Sequence, residues 1–218
     1  MIGTCRLAAA LTLALAAAGS SLMQAQQAPM SFFITSKGPG NGANLGGLAG
    51  ADKHCQTLAA AAGSTGRTWR AYLSASAANG QPAVNAKDRI GKGPWRNAKG
   101  VVVAVSVEAL HSEKYLLSKQ NSLTEKGEVV SGRGDTPNRH DILTGTNMDG
   151  TVATGETNMT CANWTSGGEG SAMVGHHDRD GGGPNPKSWN AAHASKGCSQ
   201  ANLQGTGGDG LYYCFAAN

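Results

Sequence analysis

The sequence predicts an exported α+β domain of small mixed or antiparallel sheets, with one or two helices and long glycine-rich loops closed by two disulfides. Three observations carry that expectation. The chain opens on an apolar leader, four cysteines remain once the leader is set aside, and 32 of its 218 residues are glycine.

The leader comes first. Arg6 is followed by a charge-free run, residues 7–18, rich in alanine and leucine. Such a segment is too short to cross a bilayer, and no later stretch is long and apolar enough to do so. Residues 1–25 are therefore expected to be a signal peptide, cut somewhere between residues 20 and 28. Ala25 suits the position before the cut, Met23 suits its own position poorly, and Ser20 and Ala28 are alternatives. The expected location is periplasmic or secreted. Cys5 falls inside the leader and has no small-residue lipobox around it.

Residues 26–218 show no internal repeat and no dividing linker, which suits a single domain. Setting Arg6 aside leaves 17 basic against 14 acidic residues, too even a balance for a nucleic-acid-binding surface. Cys55, Cys161, Cys198 and Cys214 form an even set in an exported chain and point to disulfides, with three pairings open. Zinc is the rival reading, but structural zinc sites favour close cysteine pairs and these four stand far apart. Abundant glycine supplies positive φ at turns and implies tight irregular loops on a small framework.

In chain order, residues 31–35 are β-branched and aromatic and read as a strand. A turn-rich loop covers 38–47. Residues 48–62 place Leu48, Ala51, Cys55, Leu58 and Ala62 on one helical face, with Gly63 as the stop. Residues 68–74 alternate as a half-buried strand does, and 85–90 suggest a short helix. Residues 94–97 read as a loop, 101–105 as a buried strand, and 106–117 as ambiguous. A polar loop at 131–141 precedes a strand at 142–146 and an Asn-Met-Asp-Gly turn, together a hairpin signal. The stretch 167–186 is expected to be exposed and mobile, and 211–216 to be a buried final strand. Trp69, Leu73, Trp164, Leu211 and Phe215 are expected in the core.

The densest polar group is His176, His177, Asp178, Asp180, Asn185, Trp189, Asn190 and His193. It reads as a hydrated loop, a ligand surface or a metal site. No cofactor is required by the sequence. The imidazoles and carboxylates suit a transition metal such as zinc, and Asp178, Asp180 and Asn185 offer oxygens to calcium. Arg133, Gly134 and Asp135 spell RGD, and Asn158 and Asn163 begin glycosylation sequons; all three are read as chance matches. Arg67, Arg70, Lys87, Arg89, Lys92 and Arg96 give a basic bias that could meet an acidic polysaccharide. There is no G-x-S-x-G and no H-E-x-x-H, so no catalytic residue is assigned.

Five segments in order, residues 50–74 (GADKHCQTLAAAAGSTGRTWRAYLS), 141–150 (DILTGTNMDG), 160–166 (TCANWTS), 197–199 (GCS) and 211–215 (LYYCF), together resemble endostatin-type domains and secreted bacterial proteins of C-type lectin-like fold. The resemblance spans almost all of the chain after the leader. It implies a C-type lectin-like fold, with Cys55 paired to Cys214 and Cys161 to Cys198. It also limits the metal chemistry. Pro184-Asn185 is similar to a calcium-lectin E-P-N motif but has Gly183 in place of the glutamate, and Trp189-Asn190 is similar to W-N-D but has Ala191 in place of the aspartate. The endostatin zinc site depends on histidines near the mature N-terminus, and residues 26–35 contain none.

The expected function is a non-catalytic, lectin-like binding module for a carbohydrate or an extracellular surface or matrix ligand, with His176, His177, Asp178, Asp180, Asn185, Trp189 and Asn190 at the ligand. The alternatives are a metal-assisted hydrolase built on His176, His177, Asp178 and His193, or a protein adhesion module.

Overall fold

The computed structural model describes residues 29–155 and 157–218, so the expected signal peptide and its cut lie outside the described residues. The domain is α+β. From its start run β1 (Phe32–Ile34), helix α1 (Gly47–Ala61), β2 (Trp69–Ala71), a 3-10 turn (Ala86–Arg89), β3 (Trp95–Arg96), β4 (Val102–Ala104) and the short helix α2 (Val107–Leu110). Then come β5 (Asp141–Leu143), α3 (Cys161–Trp164), β6 (Met173–His176), β7 (His193–Ala194), α4 (Gln200–Gly205) and β8 (Gly208–Ala216).

The final strand organises the rest. β8 is the longest, and all but one of its nine residues are buried. β1 pairs antiparallel with it, Phe32 opposite Phe215, and β2 pairs antiparallel through Ala71 opposite Cys214. β5 runs parallel to β8, and β6 and β7 continue antiparallel, giving the order β1-β8-β5-β6-β7 with β2 also on β8. β3 and β4 form a separate two-stranded ribbon. All four tryptophans lie in the core with Phe32, Phe33, Tyr72, Tyr213 and Phe215. The five core residues expected from the sequence are among the buried set.

α1 turns Ala51, Cys55, Leu58 and Ala59 inward. Asp52 is on the same buried side, where it carries two arginines. Arg89 Nη2 lies 2.8 and 2.9 Å from the two carboxylate oxygens, Arg70 Nη1 lies 2.7 Å from Oδ2, and the Ala71 N–H donates to Oδ1 at 2.9 Å. Arg96 donates to Gly100 O and Arg67 to Asn218 O. With Lys87 beside Asp149 at 3.8 Å, five members of the basic group are held within the chain, two of them by Asp52 as a framework contact.

Two disulfides staple this arrangement. Cys55 of α1 bonds to Cys214 of β8, and Cys161 bonds to Cys198, the nested pairing that the resemblance implied. Disulfides suit an oxidising compartment, which fits an extracellular or periplasmic location. No helix among the described residues is long and apolar enough to cross a membrane.

The C-x-x-W-T segment folds in a way no propensity forecasts. Cys161, Ala162, Asn163 and Trp164 all have positive φ, between 46 and 67°, a conformation that costs non-glycine residues about 1–2 kcal/mol each. Its neighbours hold it there. Thr160 Oγ1 accepts from the Asn163 N–H, the Asn163 side chain bonds both backbone groups of Ser76, and Trp164 Nε1 donates to Ser74 O at 2.7 Å. Gly145, at φ +64°, must lack a side chain because a Cβ would stand 2.8 Å from the Trp164 ring. Asn158 accepts from Thr160 and Ala162, so both sequon asparagines serve the framework.

Three expectations are corrected and one open segment is settled. Residues 95–96 are a strand rather than loop, because Trp95 is buried and pairs across to Ala104. The Asn147 to Gly150 turn closes a lone bridge between Thr146 and Val152 instead of a hairpin of two strands, because β5 is already paired on both edges by β6 and β8. The ambiguous segment contains α2, started by Ser106, whose hydroxyl accepts from the Ala109 N–H. The 167–186 stretch is not uniformly exposed, since β6 runs through it with Val174, Gly175 and His176 buried.

Candidate functional site

Asp141 opens β5 and His140 precedes it. His176 ends β6 directly opposite Asp141, and His193 of β7 stands opposite Val174. Residues two apart on a strand share a face, so His193 lies diagonal to His176 on the side where Asp141 points. The result is a convergence on one oxygen. Asp141 Oδ1 is 3.2 Å from His140 Nε2, 3.1 Å from His176 Nε2 and 3.4 Å from His193 Nε2. His176 Nε2 and His193 Nε2 face each other at 3.1 Å. The His140 and His176 rings stack with centroids 4.2 Å apart.

The opposite ring nitrogens point at oxygens. His193 Nδ1 is 3.0 Å from Ala194 O, His176 Nδ1 is 3.5 Å from Pro186 O, and His140 Nδ1 is 3.4 Å from Asp178 Oδ1. Burial pushes the Asp141 carboxyl up, but the His176 and His193 rings outweigh it and hold the group at about 2. The His193 imidazole is raised in return by Asp141. Asp178 is likewise pushed up by burial and brought down further by His140 and by the Arg133 N–H. At neutral pH the cluster therefore centres on an ionised carboxylate ringed by imidazole nitrogens.

The expected site residues divide between this cluster, the framework and the surface. His176 joins the cluster. His177 faces the other way, as alternation along a strand requires, with Nε2 donating to Ser131 O at 3.2 Å. Asp178 supports His140 from behind and accepts the Arg133 N–H at 2.6 Å, while Asp180 pairs with the Arg133 guanidinium at 2.7 Å. The RGD loop is therefore tied internally, with Asp135 on Lys119 at 2.6 Å. Trp189 is buried and donates to Leu110 O. Asn190 is buried too, its amide donating to Tyr72 OH, Asn147 O and Met148 O. His140 and Asp141, the other half of the cluster, escape sequence reasoning because they lie 36 and 35 residues before His176 in what reads as a polar loop; the carboxylate beside a histidine is the one local sign.

Asn185 borders a surface cleft of about 630 Å³ between residues 111–115 and 179–190. The Arg179 guanidinium sits over the Tyr115 ring at 4.8 Å, Tyr115 OH donates to Lys187 O, and Met148 is exposed at the rim. Trp189 and Asn190 set its floor from the core. His111 packs at the same floor, its Nε2 2.6 Å from Tyr72 OH, and burial lowers its imidazole. A second cleft, about 680 Å³, lies between residues 137–139 and 204–209, but it holds no aromatic ring and its Arg139 and Asp209 pair with each other at 3.0 Å.

No protein-family model matches the chain, and no curated protein matches it.

Proposed function

We propose that this is an exported, non-catalytic binding module of C-type lectin-like fold that recognises a carbohydrate through the 111–115/179–190 cleft. The observation that carries the reading is the Arg179–Tyr115 stack, half exposed beside Asn185, Lys187 and Glu113. Such a surface offers a ring, a planar cation and amide groups together, the combination that fixes polar ligands. Arg179 and Lys187 bias it toward glycans bearing carboxylate or sulfate groups. The nested disulfides and the packing of α1 and β2 on β8 support the fold assignment. Calcium has no part in the reading, because Asp178 and Asp180 are engaged by His140 and Arg133.

A glycan array in calcium-free buffer tests it. Binding to acidic glycans is expected, and Arg179→Ala and Tyr115→Ala should each weaken it about tenfold or more. Binding that survives both changes places the ligand elsewhere. Absence of glycan binding transfers the cleft to a protein ligand.

A further inference from the structure

We infer that His176 and His193, each through Nε2, and Asp141, through Oδ1, form a zinc site, with His140 Nε2 beside the carboxylate. The inference goes beyond the carbohydrate reading and is independent of it. Zinc bonds of about 2.0–2.1 Å in tetrahedral geometry set neighbouring ligand atoms about 3.3 Å apart. The three separations among Asp141 Oδ1, His176 Nε2 and His193 Nε2 are 3.1, 3.1 and 3.4 Å, and His140 Nε2 lies 3.2 Å from the same Asp141 oxygen.

Proton placement points the same way. A carbonyl can only accept, so the His193 Nδ1 beside Ala194 O carries the proton, and the same holds for the His176 Nδ1 facing Pro186 O. With Nδ1 so engaged, the Nε2 atoms of the two rings face each other and a carboxylate oxygen. Both Asp141 oxygens are buried without a hydrogen bond in acceptable alignment. A central cation would convert these contacts into ligation. The carbonyls behind the two rings are the outer acceptors that orient metal-binding histidines.

Imidazole nitrogens with one carboxylate select zinc over calcium or magnesium, which take oxygen shells. The site's place in the fold explains what it would hold. The loop between His176 and His193 supplies Arg179, Asn185 and Lys187 to the cleft, and the metal would clamp both ends of that loop to β5. Gly181 crosses directly over the His176 and His140 rings, where a side chain would overlap them.

The test is metal content of the full exported protein after incubation with zinc and desalting. One zinc per chain is expected, and cobalt substitution should give the intense visible bands of a tetrahedral ion. His193→Gln, at the more exposed edge of the cluster, should lose at least roughly 100-fold in zinc affinity. His177→Gln, whose ring turns away, should keep full stoichiometry. Content well below one zinc per chain, or unchanged affinity in His193→Gln, overturns the assignment. Should His193→Gln fail to fold, the wild-type cobalt spectrum decides, and weak octahedral absorption or none overturns it. Glycan binding enters none of these readouts.

Discussion

Replacing Cys55 and Cys214 together by alanine should lower the unfolding free energy by about 5 kcal/mol, the largest effect expected from any single structural element here. The bridge spans a sequence separation of 159 and ties the first helix to the strand that pairs with β1, β2 and β5. In the chain-entropy account, the longer the loop closed, the more freedom is removed from the unfolded chain. The Cys161–Cys198 bridge, with a separation of 37, should contribute about 4 kcal/mol on the same reasoning. Thermal unfolding without reductant measures it. A fall of roughly 10–20 °C is expected for the outer pair, and a midpoint within a degree or two of wild type would show that packing of α1 on β8 suffices alone.

Asp52→Ala should cost about 3–5 kcal/mol, because it leaves a buried guanidinium without its counter-ion. Arg89 is only 12% exposed at its side chain and holds both oxygens of Asp52, whereas Arg70 is 45% exposed and can turn to water. The Ala71 N–H also loses its acceptor in β2. Asp52→Asn keeps an acceptor for that N–H and removes only the charge, so its cost should fall between wild type and alanine. Urea denaturation of both variants checks the order, and a loss below about 1 kcal/mol for alanine would mean that Arg89 finds water or another partner.

The parts of the fold legible in the sequence are those with local signatures. α1 shows a 3–4 residue apolar spacing, β1 and β8 are short aromatic and β-branched runs, and cysteine count with a leader indicates disulfides. The pairing itself rests on family resemblance, since counting leaves three choices. What stays hidden depends on contacts distant in the chain. Parallel pairing of β5 with β8 leaves no periodic trace, and it is this pairing that displaces the hairpin expected at 142–152. The left-handed turn at Cys161–Trp164 runs against local propensity and is held by Ser74, Ser76 and the disulfide.

The candidate site is half legible for the same reason. Density of polar residues marks 176–193, but alternation along β6 sends His176 and His177 to opposite sides, and only tertiary structure brings His140 and Asp141 to the first of them. Trp189 and Asn190 have the composition of ligand contacts. In the fold their polar groups are consumed by Leu110, Tyr72 and the 147–148 turn, so they shape the cleft from beneath.

The most direct test of the binding reading is a backbone amide NMR titration with the tightest acidic glycan found on the array. The expected shifts are confined to residues 111–115, Met148 and 179–190. Shifts centred instead on residues 137–139 and 204–209, with the Tyr115 and Arg179 amides unmoved, would contradict it.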